Sequence, residues 1–130
     1  MGKDIRFNMT GPHTTPQNDI IQTDVEREIR RMVDELDSAS VALAHEAVQA
    51  SEAEHLYKVS MAKATLKWAS GEKMTVDQRN AHALEECSEM YRDRLVKNAL
   101  RDAAIEKCRN LRAQLNALQS INANLREMVR

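Results

Sequence analysis

The 130 residues carry 19 Lys or Arg against 20 Asp or Glu, and 42% of them are hydrophobic. A net charge of −1 excludes polyanion binding driven by bulk charge, and no stretch reaches the roughly eighteen consecutive apolar residues of a membrane-spanning helix. Only five residues are Gly or Pro and four of these fall within the first sixteen positions, so the rest of the chain reads as all-α. The N-terminus lacks the basic, apolar, then small-residue order of a secretory signal, which predicts a cytoplasmic protein.

Residues 1–22 hold Gly2, Gly11, Pro12 and Pro16 and show no helical period, which predicts a flexible arm. Within it Ile5, Phe7 and Met9 alternate with Arg6 and Asn8, a strand-like period of two, although a mobile tail is the simpler reading.

Thr23 with Glu26 has the spacing of a capping box, and Asp24, Glu26 and Glu28 suit the positive end of a helix dipole. A helix over about 23–70 follows, with Val25, Ile29, Met32, Leu36, Ala39 and Leu43 at heptad spacing. Gly71 marks a turn over 71–75, and Thr75 with Gln78 forms a second capping box that opens a helix over about 76–128. A short connection between helices of such length predicts an antiparallel helical hairpin.

After Val41 the first helix carries two apolar stripes. One runs through Leu43, Ala47, Ala50, Tyr57, Met61, Ala64 and Trp68; the other through Val41, Ala44, Val48, Glu52, His55, Val59, Ala62 and Leu66. The other arm of a hairpin covers one stripe, so the second predicts a partner chain and an oligomeric helical bundle or coiled coil. Because alanine supplies much of this surface, a lone hairpin is expected to be marginal. Cys108, Leu111, Leu115, Leu118, Asn122, Leu125 and Val129 form the cleanest heptad run. Leu111, Leu115, Leu118, Asn122 and Leu125 are therefore the expected oligomerisation residues, with Asn122 fixing register by bonding its counterpart.

Chemistry-bearing patterns are few. Glu52 and His55 have the E-x-x-H spacing of di-iron bundles, and hairpin geometry places position 55 opposite about 90, within reach of Glu86 or Glu89. In a helix this rich in Glu the pair is better read as a solvated ion pair, so no metal or other cofactor is expected. Cys87 and Cys108 have no C-x-x-C spacing and no organised base, and read as small buried hydrophobes in a reducing compartment. Phosphate loops, dinucleotide glycine patterns and zinc-finger spacings are absent, so no enzyme activity is expected.

Charge is unevenly divided. Residues 92–130 hold nine bases against four acids, whereas residues 19–91 hold eight against fifteen. Arg94, Lys97 and Arg101 follow helical spacing, with Arg109 and Arg112 continuing roughly along that side, and together they are candidate contacts for a nucleic-acid backbone. The competing reading pairs these bases with the acidic first helix.

Leu115-Asn116-Ala117-Leu118-Gln119-Ser120, followed by Asn124-Leu125-Arg126-Glu127, resembles the ending of small, mostly uncharacterised helical proteins from early regions of tailed bacteriophages. The likeness spans about Glu54 to Met128 and implies a DNA-metabolism setting in a bacterial host, without transferring any catalytic or binding residue. The expected function is thus a non-enzymatic oligomeric interaction protein, an accessory in phage DNA replication or recombination. Its alternatives are a direct DNA-binding protein using the basic side of the second helix and an inhibitor of a host or defence protein.

Overall fold

Long runs without glycine or proline leave the backbone no cheaper state than helix once an apolar face is covered. In a computed structural model, which describes residues 16–70 and 73–129, the chain forms three helices, α1 (Pro16–Ala69), α2 (Val76–Glu86) and α3 (Ser88–Val129), with no strand among the described residues. None of these helices is long and apolar enough to cross a membrane. The alternation of Ile5, Phe7 and Met9 and the turn glycine Gly71 lie outside the described residues.

α1 starts seven residues before the expected boundary, so residues 16–22 are helix rather than arm and Thr23 lies inside α1 instead of capping it. Proline is favoured at the first helical position because its φ is already helical and its missing N–H is one the helix leaves unbonded anyway. Along the exposed side of this segment Arg27 pairs with Asp24 at 3.3 Å, and Arg31 bridges Glu28 and Glu35. The hydrogen bond from Arg31 holds the Glu28 carboxyl below its ordinary range.

Val76 opens α2 as expected: Gln78 N–H donates to Thr75 Oγ1 at 3.2 Å and Thr75 N–H donates to Gln78 Oε1 at 3.1 Å. The expected single second helix is interrupted at Cys87, whose φ of −100° and ψ of 16° leave the helical region. No glycine or proline marks the spot. Hydrogen bonds from Cys87 N to Ala83 O at 3.0 Å and from Tyr91 N to Cys87 O at 2.9 Å carry the ladder across, so one residue departs from helical geometry without orphaning its neighbours.

The chain divides into two compact units, Ser40–Lys107 and Met1–Ala39 with Cys108–Arg130. Within Ser40–Lys107 the helices run antiparallel: Lys67 bonds Glu86, Tyr57 meets Tyr91 and Glu54 meets Arg94, so partners descend one helix as they ascend the other. Ala64, Ala83 and Cys87 form its buried cluster, flanked by Tyr57, Met61 and Trp68. Trp68 stacks on His82 with ring centroids 4.5 Å apart and donates from Nε1 to Glu86 at 3.1 Å, while Lys67 Nζ donates to the same carboxylate at 2.7 Å. These two hydrogen bonds hold the Glu86 carboxyl below its ordinary range.

In the other unit Met32, Ala39, Cys108, Leu111 and Asn122 are buried, and Arg126 reaches Glu26 at 3.8 Å. Both cysteines are buried and free.

Candidate functional site

From Leu43 to Tyr57 the inward positions of α1 step by alternating three and four residues through Glu46, Ala50 and Ala53. Ala53 is therefore buried and Ala47 exposed, a correction to the expected stripe, which had taken Ala47 as an inward residue. Val41, Ala44, Val48, Glu52, His55, Ala62 and Leu66 stay exposed, and only Val59 of that stripe is half-buried. The stripe thus lies uncovered by α2 and α3.

On α2 and α3 the inward positions run Ala83, Cys87, Met90, Arg94, Lys97, Arg101 and Ala104, again in steps of four and three. Arg94, Lys97 and Arg101, the expected nucleic-acid contacts of this unit, are therefore half-buried seam residues facing α1. Leu95, Val96 and Leu100 point outward instead, while Tyr91, at the edge, meets Tyr57 with ring centroids 5.6 Å apart. The segment is patterned inside out. Cations are tolerated in the seam because Ala50 and Ala53 opposite them are small, and long Arg and Lys stems cover apolar surface while their heads reach the edge. Arg109 and Arg112 are exposed and belong to the other unit.

Arg94 has three neighbours. Its Nε faces Glu54 as a charge pair that does not meet hydrogen-bond geometry, and its guanidinium lies 4.9 Å from the ring centre of Tyr57 and 5.9 Å from that of Tyr91. Beside it opens a groove of about 630 Å³, lined on α1 by Ala47, Ala50, Ser51, Glu54, His55 and Lys58 and on α3 by Arg94, Asn98 and Arg101. Each cation in the groove has an acid close by: Lys58 lies 3.5 Å from Glu54, and Arg101 lies 3.3 Å from Asp102. The groove is polar, and its lining holds three cations, Lys58, Arg94 and Arg101, against the one carboxylate of Glu54. Ser51 and His55 both line it, one helical turn apart, with no hydrogen bond between them to activate the hydroxyl.

The carboxylates considered for a metal do not gather. Glu86 is held by Lys67 and Trp68, and His55 sits one residue from Glu54, whose partner is Arg94, so the true register faces position 55 with residues near 94 rather than 90. Among the described residues no three His, Cys, Asp or Glu side chains converge.

Leu111 and Asn122 are buried, and Leu115, Leu118 and Leu125 half-buried, within the single chain, so the run expected to bind a second copy takes part in the packing of its own unit. Asn122 is only 7% exposed and its Oδ1 accepts no hydrogen bond. Of the phage-like motif, Gln119, Ser120, Asn124, Arg126 and Glu127 are exposed.

Reasoning from the sequence missed the two tyrosines around Arg94 and the inverted segment. The signal was present: Arg94, Lys97 and Arg101 keep the phase of Cys87 and Met90 on one side and of Cys108 and Leu111 on the other. No protein-family model matches the chain, and neither a curated protein nor a solved structure is found to match it.

Proposed function

We propose that the chain is a non-enzymatic interaction protein that works as a homo-oligomer, and that its setting, taken from the phage-protein resemblance, is that of an accessory in DNA replication or recombination. One observation carries this reading. In the Ser40–Lys107 unit the buried side chains are Ala50, Ala53, Ala64, Ala83 and Cys87, whereas Val41, Val48, Leu66, Leu95 and Leu100 are exposed. Fully covering an exposed Val or Leu is worth about 1.5–3 kcal/mol, and these half to mostly exposed side chains recover part of that each when a second chain covers them.

Sedimentation velocity of the purified protein with a labelled single-stranded oligonucleotide, at low and at physiological salt, tests it. A discrete oligomer supports the reading, and co-sedimentation that weakens with salt places the oligomer on DNA. An oligomer that ignores DNA directs the search to a protein partner, including a host or defence protein. A monomer at every concentration overturns the proposal.

A second reading, direct DNA binding, is favoured by the gathering of Lys58, Arg94, Asn98 and Arg101 along one groove. It predicts a steep loss of affinity with salt and a further loss in Lys58→Glu or Arg101→Glu. Unchanged binding by both variants would discard it.

A further inference from the structure

Six of the eight residues of the uncovered stripe of α1, all but Ala44 and Ala62, are placed symmetrically about its centre. From Val41 the positions Val48, Glu52, His55, Val59 and Leu66 follow at steps of seven, four, three, four and seven, a series that reads the same from either end. Placed antiparallel about a two-fold axis between Ala53 and Glu54, two copies of this stripe bring Val41 onto Leu66, Val48 onto Val59 and Glu52 onto His55. Each contact is made twice, as an isologous interface requires.

Five of these six residues are exposed in the single chain and Val59 is half-buried. Val41 is 73% exposed, Leu66 72% and Val48 53%. Val48, Glu52 and His55 line one shallow depression of about 510 Å³ at the middle of the stripe.

Charge selects the direction. Glu46 faces the seam, Glu54 pairs with Arg94 and Lys67 with Glu86, which leaves Glu52 as the acid on the stripe and the exposed Lys58 and Lys63 on its second half. An antiparallel second copy sets Glu52 of each chain against His55, on the lysine-bearing half of the other. A parallel copy sets Glu52 against Glu52.

We infer that the stripe Val41, Val48, Glu52, His55, Val59 and Leu66 is the interface of an antiparallel two-fold dimer of this chain, with Glu52 of one copy against His55 of the other. The inference rests on the self-association proposed above and specifies its face and direction.

Disulfide trapping of the full chain tests it. Positions 48 and 59 face each other across the axis, within the roughly 7 Å between Cα atoms that a disulfide spans. Position 48 of one copy lies roughly 16 Å along the helix from position 48 of the other. Mixing V48C protein with V59C protein under mild oxidation should give a covalent dimer on a non-reducing gel, while either variant alone stays at the level of the wild type. V48D, which alters a side chain already exposed in the single chain, should sediment as a monomer with unchanged helical content. Cross-linking by V48C alone would mean parallel pairing and overturn the inference. A V48D protein that keeps its oligomeric mass, with no cross-link in the mixture, would also overturn it, by assigning association to another face while leaving self-association intact. A monomeric wild-type protein would refute both.

Discussion

The guanidinium of Arg94 on α3 lies 4.9 Å from the ring centre of Tyr57 on α1, and Glu54, one turn before that tyrosine, takes its Nε side. A cation in a helix seam is thus held by an aromatic face and a carboxylate together. Arg94→Ala is expected to destabilise the chain by about 1–2 kcal/mol, less than the loss for a fully buried pair because the side chains remain partly solvated. Arg94→Lys should recover only part, since a point ammonium does not reproduce the planar contact. Urea unfolding of Arg94→Ala, Tyr57→Leu and the double variant checks this: strictly additive losses would mean the two residues do not interact.

The start of α2 was legible in local chemistry, whereas the same capping-box spacing at Thr23 and Glu26 fell inside α1. Thr75 and Gln78 mark a helix start by a reciprocal pair of hydrogen bonds that needs no tertiary partner. Pro16 misled because proline was read as a breaker, when at the first helical turn it is a starter. The interruption at Cys87 has no local residue signal; it sits where Cys87 and Ala83 pack with Ala64, a long-range contact that the order of residues does not display. The seam was misread in its polar middle because hydrophobicity was followed instead of phase: Arg94, Lys97 and Arg101 keep the inward positions, and Leu95 and Leu100 are the residues turned out. The uncovered stripe of Val41, Val48 and Leu66, by contrast, was legible, since two apolar stripes on one helix outnumber the single face an antiparallel neighbour covers.

Asn122 carries a buried amide oxygen with no hydrogen bond in a seam otherwise built of leucine. Asn122→Leu is expected to stabilise the chain by about 1–3 kcal/mol, because it removes an unsatisfied polar group and adds apolar contact. A raised midpoint of thermal unfolding at fixed protein concentration supports this. A lowered midpoint would show that Asn122 is bonded, as a seam Asn meeting its counterpart in a second copy is.

Glu86 closes the end of the Ser40–Lys107 unit by accepting from Lys67 and Trp68, and these hydrogen bonds lower its carboxyl from the ordinary value. A depressed carboxyl contributes stability that is present above its unfolded value, near about 4.3, and is lost as pH falls through the lower folded value. Trp68 is the only tryptophan, so its emission reports the event directly. An emission change is expected below the ordinary carboxylate range in the wild type and should be missing in Glu86→Gln. The same acid transition in both proteins would assign it to another group.

The inside-out segment makes the sharpest demand on the seam, because it reverses the usual expectation for polar and apolar substitutions. Lys97 is half-buried and faces small residues of α1, so Lys97→Met places an apolar chain of similar length in the seam and is expected to raise stability by about 0.5–1 kcal/mol. Leu100 is 47% exposed, so Leu100→Gln should change the stability of the dilute protein by no more than about 0.5 kcal/mol, the range of ordinary surface substitutions. If α3 were turned so that Leu100 faced α1, the order would invert: Leu100→Gln would cost several times more and Lys97→Met would be neutral. Denaturant midpoints of the two variants at low protein concentration distinguish these orientations. The same pair separates the seam from the oligomer, since only an outward residue such as Leu100 can alter association without altering the folding of the single chain.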